Sequence, residues 1–186
     1  LPPPRRTDPA LPLISLITPS FNQGQFIRQT LESILQQDYP NLELWVMDGG
    51  STDATLDHLR ACEADERFHW LSEPDQGQSD AINKGLARCQ GELCAWINSD
   101  DLLLPGALRS VGEAWQAHPQ PIILYGFGRH IDANGLDLGY CPAQSAQMTL
   151  AKLLWVGRHA LVQPATFIPT DAFRRAGGVN PAYHYA

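Results

Sequence analysis

Three apolar runs, each ending abruptly in a polar cluster, constrain this chain more than anything else in it. Leu13-Ile-Ser-Leu-Ile-Thr18 runs into Pro19-Ser-Phe-Asn-Gln-Gly24. Leu42-Glu-Leu-Trp-Val-Met47 runs into Asp48-Gly-Gly-Ser-Thr-Asp53, and residues 93–97 run into Asn98-Ser-Asp-Asp101. Runs of this length, rich in branched residues, read as buried strands, the first closed by Pro19. Helical spacing separates them. Ile27, Leu31, Ile34 and Leu35 fall at i, i+4, i+7 and i+8; Leu56 and Leu59 follow Asp53, a candidate N-cap; Ile82 and Leu86 face inward from a helix over 78–88. A further strand is expected at 68–71 and a helix over 105–118 carrying Leu104, Leu108, Val111 and Trp115. A fifth strand follows over 121–131, turned at Asp132-Ala-Asn-Gly135 into a short strand ending at Tyr140. Alternation of this kind predicts an α/β fold: a mostly parallel, Rossmann-like sheet with helices on both faces. Ligands of such sheets bind at the carboxyl ends of the strands, where all three polar clusters fall on this reading.

The chemistry of those clusters narrows the ligand. Asp100 and Asp101 are adjacent carboxylates just past a central strand, where they repel each other and call for a cation. Their hard oxygens suit Mg²⁺ or Mn²⁺, with phosphate oxygens and water completing the shell. A plainer role for Asp101 is to cap the following helix. Asp48, ending the second strand, is placed like the acid that holds a ribose in dinucleotide-binding folds. The first loop lacks the G-x-G-x-x-G that would bring backbone against a phosphate. The diphosphate is therefore expected near Asp100, with the base near Phe21 and Asp48. Phe21 reads equally well as a stacking ring or as core. Lys84 reads as a solvated helix residue, and His159, Trp155 and Tyr183 read as packing.

Composition removes several function classes. A formal charge of −7 and a pI near 5.2 exclude a nucleic-acid polymer as partner, which would need a basic face. The four cysteines form no C-x-x-C pair and read as reduced structural thiols of a cytoplasmic protein. No run reaches the ~18 apolar residues of a membrane span, which leaves only peripheral contact with a membrane. Residues 1–11 are expected as an extended leader, and 12–186 as one domain.

Five strings, taken in order, carry a family resemblance: Thr18-Pro-Ser-Phe-Asn22, Val46-Met-Asp-Gly-Gly-Ser-Thr-Asp53, Asp75-Gln-Gly-Gln-Ser-Asp-Ala-Ile-Asn-Lys-Gly85, Asn98-Ser-Asp-Asp101 and Gln163-Pro-Ala-Thr-Phe167. Together they resemble family 2 glycosyltransferases. The resemblance implies an A-type glycosyltransferase fold, a nucleotide-sugar donor of the UDP or dTDP kind, and Mn²⁺ or Mg²⁺. It also implies a saccharide or lipid-linked saccharide acceptor, in surface polysaccharide synthesis at the inner face of the membrane. It assigns Thr18, Pro19, Ser20, Phe21 and Asp48 to base and ribose, and brings Asp80 and Lys84 towards the nucleotide. It puts Asn98, Ser99 and Asp100 at the D-x-D position, and Gln163 and Pro164 beside sugar and acceptor. Metal ligation falls on Asp100, with Asp101 as second candidate.

Three departures from the pattern follow. Asn98 stands for the first acid of D-x-D. Gly49 stands for the second acid common after the second strand. The sequence from Gly177 onward resembles the approach to the family's catalytic carboxylate, which is expected just beyond Ala186. Relatives transfer sugar with inversion, and a carboxylate must take the proton of the attacking hydroxyl. Asp171 is a poor candidate for that base and reads as an N-cap for 172–175. A chain without the base should bind a nucleoside diphosphate yet transfer sugar slowly. Two other classes remain open: a non-catalytic nucleotide- or carbohydrate-binding module, and a Rossmann-type oxidoreductase, against which the first loop argues.

Overall fold

The structure is a computed structural model that describes residues 8–118, 123–141 and 161–182. Its elements run β1 (Ile14–Ser20), α1 (Ile27–Leu35), β2 (Leu42–Asp48), α2 (Thr55–Ala61), β3 (Phe68–Ser72), α3 (Gln78–Leu86), β4 (Leu93–Trp96) and α4 (Ala107–Gln116). Then follow β5 (Leu124–Tyr125), β6 (Arg129–Ile131), β7 (Asp137–Tyr140), β8 (Thr166–Pro169) and α5 (Thr170–Arg175). The main sheet has the order β3-β2-β1-β4-β8-β5. Its first four strands are parallel, and β8 lies antiparallel to both β4 and β5. β6 and β7 form a separate hairpin.

Side-chain alternation along each strand makes two cores. Ile14, Leu16, Leu44, Val46, Leu93 and Ala95 pack with Ile27, Leu31 and Ile34 of α1, Leu59 of α2 and Leu108 of α4. Ile17, Trp45, Met47 and Cys94 point the other way, against Ala81, Ile82 and Leu86 of α3 and Phe173 of α5. Helices therefore cover both faces, as the pattern predicts, and each buried Leu or Ile contributes about 2 kcal/mol of transfer free energy. Helix α3 lies flush on β1 because Gly85 has no side chain: a Cβ there would sit 2.5 Å from Ile17 Cγ2.

Several boundaries differ from the sequence reading. β1 continues through Pro19 to Ser20, which pairs with Asp48. β4 stops pairing with β1 at Trp96, so the missing N–H of Pro19 faces the side where β4 has already diverged, and proline is tolerated there. Helix α4 starts at Ala107, not 105, because Gly106 at φ 78° breaks the helical path. Leu104 consequently lies outside the helix and is exposed. The expected strand over 121–131 is two short strands, β5 and β6; residues 119–122 lie outside the described residues. Strand β8 was not expected at all. The leader reaches into the fold at its end, since Leu11 is in the core and Asn41 Nδ2 donates to the carbonyls of Asp8 and Leu11. All four cysteines are unpaired, and burial pushes the Cys94 thiol up to about 11, which makes it inert. No helix among the described residues is long and apolar enough to cross a membrane.

Candidate functional site

The parallel strands bring the ends of β1, β2 and β4 to one edge, and a cavity of about 590 Å³ opens there. Pro19, Ser20, Phe21 and Gln23 line it from β1, Asp75, Gly77, Gln78 and Ala81 from the start of α3, and Asn98, Ser99 and Asp100 from β4. The loops under it are laced together. Asn22, at φ 53°, donates its backbone N–H to Ser51 Oγ at 2.7 Å and accepts the Thr52 N–H on Oδ1 at 2.9 Å. The Gln23 N–H reaches Thr55 Oγ1 at 2.9 Å, and the Gly24 N–H reaches Asp53 Oδ2 at 2.8 Å. Asp53 thus ties the first loop to the second while its Oδ1 accepts from Thr55, the first residue of α2. This differs from the N-cap expected of it, since Ala54 holds that position.

Asp48 is almost completely buried and fully engaged. Its Oδ2 accepts from the N–H groups of Gly50 and Ser51 and from Ser72 Oγ at 2.6 Å, and its Oδ1 accepts from Ser51 Oγ. Its carboxylate organises the strand ends, and it does not line the cavity. Thr18 is also buried, and its hydroxyl has no partner among the described residues. Asp80 and Lys84 form an ion triad with Glu73: Lys84 Nζ lies 3.1 Å from Glu73 and 3.2 Å from Asp80, and donates to the Pro74 carbonyl at 3.3 Å. Glu73 and Asp80 together hold the Lys84 ammonium above its usual range. Asp80 also accepts the Gln76 N–H, which, ahead of Lys84, lowers its own pKa. This pair clamps the loop that carries Asp75 and stands back from the cavity.

At the other end, a polar chain joins three elements. Gln78 Nε2 donates to Asn98 Oδ1 at 2.7 Å, Asn98 Nδ2 to Gln163 Oε1 at 3.3 Å, and Gln163 Nε2 to the Trp96 carbonyl at 2.6 Å. Gln163 and Pro164 begin a short 3-10 turn at the entry to β8, on the same edge. Thr30 Oγ1 holds the Ser99 carbonyl at 2.8 Å. Asp100 is exposed into the cavity and accepts no hydrogen bond among the described residues. Asp101 differs from it. It is half-buried and off the cavity lining, and burial, then the neighbouring Asp100, pushes its pKa up.

These contacts test the expected cation. Asp100 offers a free, exposed carboxylate, while the described residues hold no cluster of three or more His, Cys, Asp or Glu side chains that could cage an ion. One carboxylate, with phosphate oxygens and water as the other ligands, is the arrangement that suits Mg²⁺ or Mn²⁺. Asp101, the second candidate, bonds the Asn98 side chain and does not line the cavity. Ser20 supplies a second polar group: its hydroxyl is buried on the cavity wall without a partner among the described residues. Buried polar groups in native proteins are paired, so an orphan at a cavity points to a ligand.

The remaining expectations sort by edge. Asp171 lies in the first turn of α5, after β8 has run back to pair Pro169 with Leu93 at the start of β4. It is on the opposite edge of the sheet and exposed, far from a base's position and not a cap. His159, Trp155 and Tyr183 lie outside the described residues. Gln23, Asp75 and Gln78 line the cavity without having been assigned a role. Asp75 and Gln78 stand in one of the strings that carry the resemblance, and the missing acid at Gly49 was the signal for Asp75.

An open α/β sheet with a cavity at its parallel strand ends, lined by Asp100 after β4, places the chain in the Rossmann-like α/β class, whose ligands bind at that edge. Residues 15–160 match the profile of glycosyl transferase family 2, and the chain belongs to that family. It is 44% identical over 92 residues to TuaG of Bacillus subtilis, a glycosyltransferase assigned to teichuronic acid biosynthesis, covering 48% of this chain and 36% of that protein. It superposes on S. aureus TarS in complex with UDP-GlcNAc with a TM-score of 0.73 at 20% identity, covering 88% of this chain and 47% of the other. It superposes on the mannosyltransferase PcManGT of Pyrobaculum calidifontis, in complex with GDP-Man and Mn²⁺, with a TM-score of 0.67 at 22% identity, covering 96% and 50%. These likenesses establish the A-type glycosyltransferase fold. The chain spans 36% and 63% of the length of two curated relatives it matches.

Proposed function

We propose that this chain binds a nucleoside-diphosphate-sugar across the ends of β1 and β4 and serves its transfer, with inversion, to an acceptor hydroxyl. The observation that carries this reading is the pairing, on one cavity wall, of the free Asp100 carboxylate with the unpartnered Ser20 hydroxyl. A bound Mn²⁺ or Mg²⁺ at Asp100 would offset the diphosphate charge and stabilise it as a leaving group. The chain's own residues do the rest. Phe21, 59% exposed on the cavity, offers a ring for a base to stack on, and Pro19 and Ser20 back the ribose. Asn98, steered by Gln78 and Gln163, sets the wall between the diphosphate and the sugar. Gln163 and Pro164 border the sugar side.

The acceptor is a saccharide or lipid-linked saccharide of a surface polysaccharide. The assignment of TuaG to teichuronic acid synthesis supports this reading. An acidic chain with four unpaired thiols suits the cytoplasm, at the inner face of the membrane where such acceptors are built.

A thermal-shift panel of nucleoside diphosphates with and without Mn²⁺ tests the proposal. A ligand at 100 times its Kd adds about 2.7 kcal/mol to apparent stability. A UDP shift that needs Mn²⁺, and that Asp100→Ala removes while unfolding stays cooperative, is the expected result. A shift with NAD but with no nucleoside diphosphate, or one indifferent to Asp100→Ala, overturns it.

A further inference from the structure

We propose that Asp75 reads the base of the bound nucleotide, accepting the ring N–H of uracil, thymine or guanine on its free carboxylate oxygen. The inference rests on the donor reading above and adds to it the residue that selects the base. It starts from Gly49. A Cβ on that residue would lie 2.8 Å from Asp75 Oδ2 and 3.2 Å from Asp75 Cγ. The Asp75 carboxylate therefore occupies the space that a side chain after β2 would fill. Gly49 is itself fixed against β1, its N–H donating to the Ser20 carbonyl at 2.8 Å. The chain lacks an acid at 49 and brings one to the same place from the loop after β3.

That loop is held, not loose. Ser72 Oγ and the Glu73 N–H bond to Asp48, Lys84 ties Glu73 and Pro74 to α3, and the Gln76 N–H bonds Asp80. Asp75 Oδ1 accepts the Gly77 N–H at 2.8 Å, which orients the carboxylate, while Oδ2 accepts nothing among the described residues. Asp75 lines the same cavity as Phe21 and Asp100. In the order β3-β2-β1-β4, the end of β1 lies between Asp75, above β2, and Asp100, beyond β4.

Charge then decides what faces Asp75. A carboxylate only accepts hydrogen bonds and repels phosphate unless a cation lies between them, so the diphosphate goes to the Asp100 end, where the proposed cation would offset both charges, and a donor group of the ligand goes to the Asp75 end. With Phe21 under the base, the group presented there is the base edge. Uracil, thymine and guanine carry a ring N–H on that edge. Cytosine and adenine place a ring acceptor there, which would meet Oδ2 lone pair to lone pair.

The test measures the affinities of UDP, dTDP, GDP, CDP and ADP, with Mn²⁺ present, for four forms of the chain. Wild type is expected to bind at least one of the first three about tenfold more tightly than CDP or ADP. Asp75→Ala should shrink that gap to about threefold or less. Asp75→Asn, which can still accept from Gly77, covers the case in which alanine loosens the loop, and it should also lose the preference. Gly49→Asp added to Asp75→Ala should restore the gap by returning a carboxylate to the same space. If both single variants keep the full wild-type preference, Asp75 does not read the base, although the donor site stands. If wild type binds no nucleoside diphosphate, the donor reading fails and this inference fails with it.

Discussion

The four parallel strands and the elements after α4 hold the cavity in different ways. β1 and β2 run seven residues each, buried throughout, and their loops are cross-braced by Asp48, Asn22 and Asp53. β5 is two residues, half-buried, and β6 and β7 are largely exposed. The later elements reach the cavity through Gln163, held by the Trp96 carbonyl and Asn98. A site braced by strands keeps its geometry better than one hung on short segments. The difference teaches that the end of the cavity proposed for the nucleotide is preformed, while the end proposed for sugar and acceptor depends on a few contacts at the entry to β8.

The widest contrast should appear in stability. Ile17 is fully buried between β1 and α3, touching the space above Gly85. Ile17→Ala should cost about 4 kcal/mol, since the flush helix cannot collapse into the gap. Leu124→Ala, at a half-buried position on the edge strand β5, should cost about 1 kcal/mol. Urea unfolding of both variants measures the gap, and equal costs would erase the distinction between the two regions.

Gln163→Ala sharpens the same comparison at the site. It removes hydrogen bonds to Trp96 and Asn98 and should cost about 1 kcal/mol of stability. Binding of UDP with Mn²⁺ should change by no more than about twofold. A tenfold loss of UDP affinity would show instead that β8 braces the nucleotide end.

The parallel half was also the legible half. Its strands carry continuous apolar runs, and its helices repeat Ile27, Leu31 and Ile34 on one face, so period alone locates them. Strand β8 has four residues, ends in Pro169 and borrows its strand character from pairing with β4 and β5, which no local pattern reveals. The D-x-D stretch was legible as a place but not in its detail. Asp100 and Asp101 look alike in sequence, and only burial tells the free carboxylate from the packed one. Asp48 reads from the sequence as an acid at a strand end, and the four hydrogen bonds it accepts there, which brace the loops, have no local signature. Asp75 was hidden because helix α2, strand β3 and the loops around them separate it from Gly49 in sequence.

The smallest expected effect lies at the opposite edge of the parallel half. Arg67 clasps Asp65 through Nε at 3.0 Å and Nη2 at 2.7 Å, and Nη2 also donates to the Leu35 carbonyl at the end of α1. The Arg67 bond holds the Asp65 carboxyl below its ordinary 3.8. A depressed pKa means the folded state favours the charged form, so the stabilisation is complete above the ordinary value. It is lost as pH falls through the lowered folded value. Both side chains are about a third exposed, at 31% and 27%, so solvent screens the pair and its worth is under about 1 kcal/mol. Asp65→Asn should therefore lower stability slightly at neutral pH and make no difference in strong acid, with the gap narrowing in salt. A cost independent of pH would mean that the clasp works by shape and not by charge. Donor affinity should not change in either case, because the clasp precedes β3 at the amino edge. The parallel half then separates into an edge that holds the helices and an edge proposed to hold the ligand.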